Sequence, residues 1–270
     1  SKRSEAFAIL EELQQAGIKV SCDQYPYGAG STMLAGCIPP WAHVGGANEM
    51  LKRLRDPETR KKIKHDIQYT DTPWDNFVEF CTSDGIMVTS VESEKNQYCV
   101  GKTIVQIGAI RGVDPIDAMM DLLLEEDNKV GMVEFYGTEE CVVDIMKRPE
   151  VNICTDGLLG GTPHPRVYGA FPRILGKYVR EQKLLTLEQA LHKMTGKPAE
   201  AMQMTERGLL QPGKKADIVI FDPETIADVG DFINPRQLAR GIVRVIVNGK
   251  TVLDDQGLHA DAASGEVLTF

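Results

Sequence analysis

The stretch Val151-Asn152-Ile153-Cys154-Thr155-Asp156-Gly157, followed two residues on by Gly160-Gly161-Thr162-Pro163-His164-Pro165-Arg166, decides how this chain reads. A short apolar, β-rich run stops at an acid and a glycine. A Gly/Pro-rich loop carrying one histidine and one arginine takes over. An extended run that ends in a carboxylate puts that carboxylate at the rim of a sheet, and in a βα barrel the C-terminal rim is where the chemistry sits.

Working outward, the pattern on both sides alternates. Residues 131–136 read as a strand and 138–146 as a short helix. Before them, Asp114 caps a helix with Pro115 at its first position and Ile116, Met119, Met120, Leu123 and Leu124 on its apolar face. After them, residues 186–194 read as a helix, with Thr186 and Gln189 at capping-box spacing and Gly196 at its end. Near the start, residues 4–16 form a helix with Phe7, Leu10 and Leu13 on one face, Ser4 as cap and Gly17 at the end. Residues 18–22 then alternate like a strand. Strand and helix in succession predict an α/β fold. Between Thr32 and Arg111 the rhythm is lost. Residues 48–54 and 56–67 look helical, 77–80 and 85–91 extended, and 92–97 a solvated turn. Such an irregular insertion after a strand reads as a lid or specificity loop. From Gly208 the texture turns all-β: a strand over 216–223, a second over 242–247, an Asn248-Gly249 hairpin and a return over 251–253. The domain change falls near Glu206.

With 270 residues, 42% of them hydrophobic, the chain holds one large domain or two ordinary ones. A net charge of −9 argues against a general nucleic-acid binder, whose surface must neutralise phosphates. The six cysteines are scattered without a C-x-x-C pair, as expected of reduced thiols in the cytoplasm. No apolar run approaches the roughly 20 residues that cross a bilayer.

Asp156 reads two ways: a proton carrier for hydrolysis, or the first residue of an ordinary Asx turn. Arg166 suits a carboxylate ligand, since guanidinium grips carboxylate with a bidentate fork. Arg173, Lys177 and Arg180 make the region locally basic, the last two as a solvated helix face. Tyr25, Tyr27 and Ser31, in a Gly/Pro-rich loop, either line a pocket or pack a turn. The histidines (His43, His65, His164, His192 and His259) make neither H-x-H nor H-E-x-x-H, and only His164 lies near Asp156. One histidine and one aspartate fall short of a zinc site, which takes three or more protein ligands. No G-x-S-x-G elbow is present, and no phosphate-binding loop.

Two features carry a family resemblance. Gly208-Leu209-Leu210-Gln211-Pro212-Gly213-Lys214-Lys215-Ala216-Asp217, with Val247-Asn248-Gly249 later, resembles the C-terminal signature of the amidohydrolase superfamily. Asp23-Gln24-Tyr25-Pro26-Tyr27-Gly28-Ala29-Gly30-Ser31-Thr32, Thr155-Asp156-Gly157 and the run from His164 through Arg166 to Val179 together resemble the N-acyl-D-amino-acid deacylases (D-aminoacylases). The resemblance implies a distorted βα, TIM-like barrel with a lid insertion at about 27–111, followed by a small β-sandwich domain segment, with the barrel part over 1–206 and the sandwich over 207–270. It implies zinc-dependent hydrolysis of N-acyl-D-amino acids to a D-amino acid and a carboxylic acid. Asp156 would take the proton from the metal-bound water and return it to the leaving amine. Arg166 would hold the substrate carboxylate, with Tyr25 and Ser31 contacting the same group. The family's metal ligands, histidines and a bridging cysteine, match nothing here, so they are expected upstream. The chain then reads as the C-terminal half of the enzyme, inactive alone and dependent on the missing half or on self-association. Two alternatives stand beside this: another amidohydrolase acting on cyclic or linear amides (hydantoinase- or dihydroorotase-like), and a non-catalytic remnant that binds an acyl amino acid or a partner.

Overall fold

The structure, a computed structural model, describes residues 2–69 and 73–268. In chain order its elements are α1 (Lys2–Gln15), β1 (Cys22–Gln24), β2 (Gly30–Met33), α2 (Ala47–Arg55), α3 (Pro57–Gln68), α4 (Phe77–Cys81), β3 (Ile86–Ser90), α5 (Ile104–Arg111), α6 (Pro115–Glu125), β4 (Gly131–Glu134), α7 (Glu139–Met146) and β5 (Val151–Ile153). The rest are α8 (Arg166–Arg173), α9 (Leu187–Met194), α10 (Gly196–Ala201), β6 (Ile218–Phe221), β7 (Ile242–Val247), β8 (Lys250–Asp254) and β9 (Gly257–Leu258). The chain is mixed α/β, and among the described residues the strands form three sheets.

The first sheet is the parallel pair β1–β5, with Cys22 beside Val151 and Gln24 beside Ile153. The alternating run at 18–22 predicts an earlier strand. The ladder begins only at Cys22, whose N–H donates to the Glu150 carbonyl at 3.1 Å, because a strand exists only where a neighbour runs beside it. Residues 18–21 instead leave α1 through paired terminal bonds, Gly17 N–H to Gln14 and Ile18 N–H to Leu13, both 3.0 Å. Helix α1 starts at Lys2, so Ser4 lies inside its first turn and not at the cap. Phe7, Leu10 and Leu13 share the half-buried face as expected, and the Arg148 guanidinium stacks on Phe7.

The second sheet has the order β2-β4-β3, antiparallel throughout. Strand β4 was expected within a βα alternation. It pairs with β2 and β3 and not with β5, so the Gly/Pro loop that looked like a mere strand break includes a strand. Residues 77–80 were expected to be extended. They form α4, because the fully buried Asn76 caps them, its Oδ1 accepting from the N–H groups of Val78 (3.1 Å) and Glu79 (3.4 Å). The third sheet, β6-β7-β8-β9, is an antiparallel meander. Its β7–β8 turn is Asn248-Gly249, both residues at positive φ (48° and 79°), as a twisted two-residue hairpin requires.

Two apolar cores organise these elements. One gathers Leu34, Met50, Leu54, Ile63, Ile86, Ile104, Met119, Met120, Leu122 and Met132 from α2, α3, α5, α6 and the second sheet. The other gathers Val142, Met146, Ile153, Ile174, Tyr178, Ala190 and Ile226 around β5, α7 and the helix that follows the Gly/Pro loop. That helix continues past Pro172 as a wider π-turn over Ile174–Glu181. Among the described residues no helix is long and apolar enough to cross a membrane. Asn76→Ala removes the cap of α4 and a 2.8 Å bond from Asn76 Nδ2 to the Ile67 carbonyl. It is expected to lower stability by about 2–3 kcal/mol in urea denaturation. An unchanged midpoint contradicts this account of α4.

Candidate active site

Strand β5 ends at Ile153, and the chain turns at Asp156, which adopts the left-handed conformation with φ +45°. Asparagine and aspartate tolerate that region better than other residues with a Cβ. The turn aims both the backbone and the side chain of Asp156 at Arg166. Arg166 Nε donates to the Asp156 carbonyl at 2.8 Å, and its Nη2 pairs with Asp156 Oδ2 at 2.7 Å. The partners are unequal in burial: the Arg166 side chain is 4% exposed, that of Asp156 62%. The guanidinium carbon lies over the Tyr25 ring, 4.3 Å from its centre. A buried cation is tolerated only when its charge and donors are matched, and carboxylate, carbonyl and aromatic face match them here.

The loop that delivers Arg166 is locked by His164. Its Nδ1 accepts the Arg166 N–H at 2.9 Å, which satisfies the first free donor of α8, and its Nε2 donates to the Ala29 carbonyl at 3.0 Å. That pair of bonds fixes one neutral tautomer. Burial, helped by the Arg166 charge, pushes the His164 pKa down to about 3. Tyr25, Tyr27 and Phe232 meet its ring edge-to-face. Tyr27 is held in turn by Arg173, which stacks on it, donates from Nε to the Pro26 carbonyl at 3.0 Å and pairs with Asp228 at 2.9 Å. Arg236 Nη2 donates to the carbonyls of Leu159 and Gly161. The segment before β7 thus pins the loop from outside.

Beside Arg166 opens a cleft of about 540 Å³, bordered by Ser31, Thr89, Ser90, Gly161, Thr162 and His164. Ser31 Oγ donates to the Met132 carbonyl at 2.9 Å and keeps its lone pairs for another donor. Tyr25 Oη is 3.0 Å from Tyr136 Oη. Burial, reinforced by that bond, raises the Tyr25 phenol, so it stays protonated.

Of the residues singled out from the sequence, Arg166 contacts both Asp156 and Tyr25, and Ser31 borders the cleft that Arg166 walls. Arg173 belongs to the supporting network. Lys177 and Arg180 are not a solvated face: Lys177 pairs with Glu139 at 2.7 Å, and Arg180 Nη1 donates to the Ile226 carbonyl at 2.6 Å. His164 was the candidate ligand or acid–base partner, and both its nitrogens are spent inside the protein. Cys154 is half-buried, with its thiol raised by burial and then by Asp23 and Asp156, so it is a poor nucleophile. Sequence reading passed over Tyr136, Asp228, Phe232 and Glu134. Only Glu134 left a trace, as a carboxylate inside the apolar run Met132-Val133-Glu134-Phe135.

The sequence profile of the amidohydrolase family matches residues 103–253. The chain belongs to that family. Among its relatives, the N-acyl-D-glutamate deacylase of Alcaligenes xylosoxydans xylosoxydans is 31% identical over 252 residues, covering 93% of this chain and 42% of the relative. The N-acyl-D-aspartate deacylase of the same organism is 39% identical over 164 residues, 58% of this chain and 33% of the relative. The crystal structure of N-acyl-D-glutamate deacylase from Bordetella bronchiseptica, complexed with zinc and a phosphonate mimic of the tetrahedral intermediate, superposes with a TM-score of 0.74. It is 32% identical, with 98% of this chain and 46% of that one covered. The chain therefore spans less than half the length of these relatives. Among the described residues no group of three or more His, Cys, Asp and Glu side chains is arranged to hold a metal ion. The described residues do not fit the relative's zinc.

His164 should stay neutral across the ordinary pH range. Its folded pKa lies below the unfolded value of about 6.5, so the unfolded chain binds the extra proton and stability falls as pH drops from about 6.5 toward 3. The ring nitrogens, followed by ¹⁵N NMR, should show the Nε2–H tautomer with no titration between pH 5 and 8; a midpoint near 6.5 contradicts the lock.

Proposed function

We propose that this chain supplies the substrate-carboxylate anchor and the proton-transfer carboxylate of an N-acyl-D-amino-acid deacylase. The observation that carries the reading is the buried Arg166 guanidinium, set over Tyr25, paired with the exposed Asp156 carboxylate and bordering an open cleft. The relatives support the reaction class, as deacylases of N-acyl-D-aspartate and N-acyl-D-glutamate.

In this proposal the α-carboxylate of the substrate takes the place of the Asp156 side chain on Arg166, and Ser31 and Tyr25 bound the same position. The guanidinium exchanges one carboxylate for another, so its burial stays compensated throughout. The exchange frees the Asp156 carboxylate on the water-facing side, next to the acyl-amide bond. There it takes a proton from the attacking water and delivers it to the amine nitrogen as the C–N bond breaks, a transfer worth about 10²–10⁴-fold in rate. His164 is not the acid or base, because its tautomer is committed to Ala29 and Arg166. Zinc, as in the relative, would be held by residues outside the described ones. We further propose that residues 1–206 belong to a βα-barrel domain with a lid insertion, and 207–270 to a small β-domain.

The test is calorimetric titration of the full chain with N-acetyl-D-alanine and with its C-terminal amide. The acid should bind and the amide should bind far more weakly. Arg166→Ala should weaken the acid about 100-fold or more, as removal of one partner of a buried charge pair does, and leave the amide unchanged. Equal affinity for acid and amide, or insensitivity to Arg166→Ala, overturns the assignment.

A further inference from the structure

One buried acid next to this site takes no part in the chemistry above. Glu134 closes β4, the central strand of the second sheet, with Gly30 opposite on β2 and Ile86 on β3. The residue is 4% exposed. Its carboxyl lies over Gly30, where an added Cβ would stand 2.3 Å from Glu134 Oε1 and 3.0 Å from the Tyr136 ring. Only a glycine leaves that space. Glu134 Oε2 is buried and has no hydrogen-bond partner among the described residues. The groups that face it are few. They are Arg166 at the start of α8, Tyr25 on the loop after β1, Tyr136 just beyond β4, and the thiols of Cys37 and Cys81. Only Arg166 among them carries a charge, and its Nε and Nη2 are turned to Asp156.

In the free chain Arg166 already balances Asp156. When a substrate carboxylate enters, three acids surround one cation. The least hydrated of the three, with an oxygen that no donor satisfies, is the one that cannot hold a charge. We propose that Glu134 is a proton-holding carboxyl of the carboxylate pocket: it keeps or takes up a proton when a carboxylate ligand occupies Arg166, and so sets the affinity of that pocket. Burial raises its pKa to about 7, against the opposing pull of a hydrogen bond to its own backbone and of the Arg166 charge. The arriving anion moves it further in the same direction. Protonated Glu134 favours the ligand and ionised Glu134 repels it, so affinity falls as pH rises through neutrality. Glu134 acts here through Arg166 and is a positioning residue, without contact to the scissile bond.

The inference rests on Arg166 being the carboxylate anchor, and the experiment separates the two claims. N-acetyl-D-alanine is titrated into the full chain by calorimetry at pH 6, 7 and 8, in buffers of different ionisation enthalpy, with the wild type and with Glu134→Gln. The ligand carboxyl stays ionised over this range. The wild type should lose about tenfold in affinity from pH 6 to pH 8 and take up about half a proton per ligand at pH 7, as linkage to a group titrating near 7 requires. Glu134→Gln should bind with less than about a twofold change over the same range and no uptake. Arg166-dependent binding with a flat pH response in the wild type, or with the same slope in Glu134→Gln, overturns the role of Glu134 and leaves the anchor standing. Absence of binding, or binding indifferent to Arg166→Ala, overturns the anchor itself. Should Glu134→Gln fail to fold, proton uptake by the wild type still decides: none at pH 7 refutes the proposal.

Discussion

A buried guanidinium makes demands that its surroundings must meet together, and much of this site is the answer to Arg166. Its charge is met by Asp156, its Nε by the Asp156 carbonyl and its face by Tyr25, while its backbone N–H is met by His164. Remove any one and the others are left with an uncompensated partner in a region of low dielectric, where such groups are costly. The left-handed turn at Asp156 follows from the same demand, since it presents a carbonyl and a carboxylate to one guanidinium.

The parts come from distant stretches of the chain. The parallel pair β1–β5 sets the two loops side by side: one leaves β1 carrying Tyr25 and Tyr27, and the other leaves β5 carrying Asp156, His164 and Arg166. The antiparallel sheet of β2, β4 and β3 supplies Ser31, Glu134 and the far wall of the cleft. The segment between β6 and β7 reaches back with Asp228, Phe232 and Arg236 to hold the loops from behind. A local change in any of the three therefore reaches Arg166 through one or two contacts.

The sequence made some of this readable and hid the rest for physical reasons. Local signals survived. Thr186 and Gln189 form the reciprocal cap their spacing announced, Asp114 caps its helix ahead of proline, and Asn248-Gly249 turns its hairpin. Asp156, Arg166 and Tyr25 stood out as candidates because they lie in Gly/Pro-rich loops after strands and in runs that resemble the D-aminoacylases, while the loops alone left Asp156 and Tyr25 equally open to a plain turn. Long-range facts were not legible. Nothing local says that β4 pairs with β2, or that residues 18–21 lack a strand neighbour. Asn76 overrode the extended look of residues 77–80 by capping them, a choice that depends on its burial under α3. Lys177 and Arg180 looked solvated because their partners, Glu139 and the Ile226 carbonyl, lie 38 and 46 residues away. Glu134 was passed over because a single acid in an apolar strand is ordinary until its partner fails to appear.

The exchange of carboxylates on Arg166 is the central claim, and a crystal structure of the full chain soaked with N-acetyl-D-alanine examines it most directly. The account predicts the ligand carboxylate within about 3 Å of the Arg166 guanidinium, beside Ser31 and Tyr25, with the Asp156 side chain released toward the acyl-amide bond. A ligand bound elsewhere while the Arg166–Asp156 pair stays closed would contradict it.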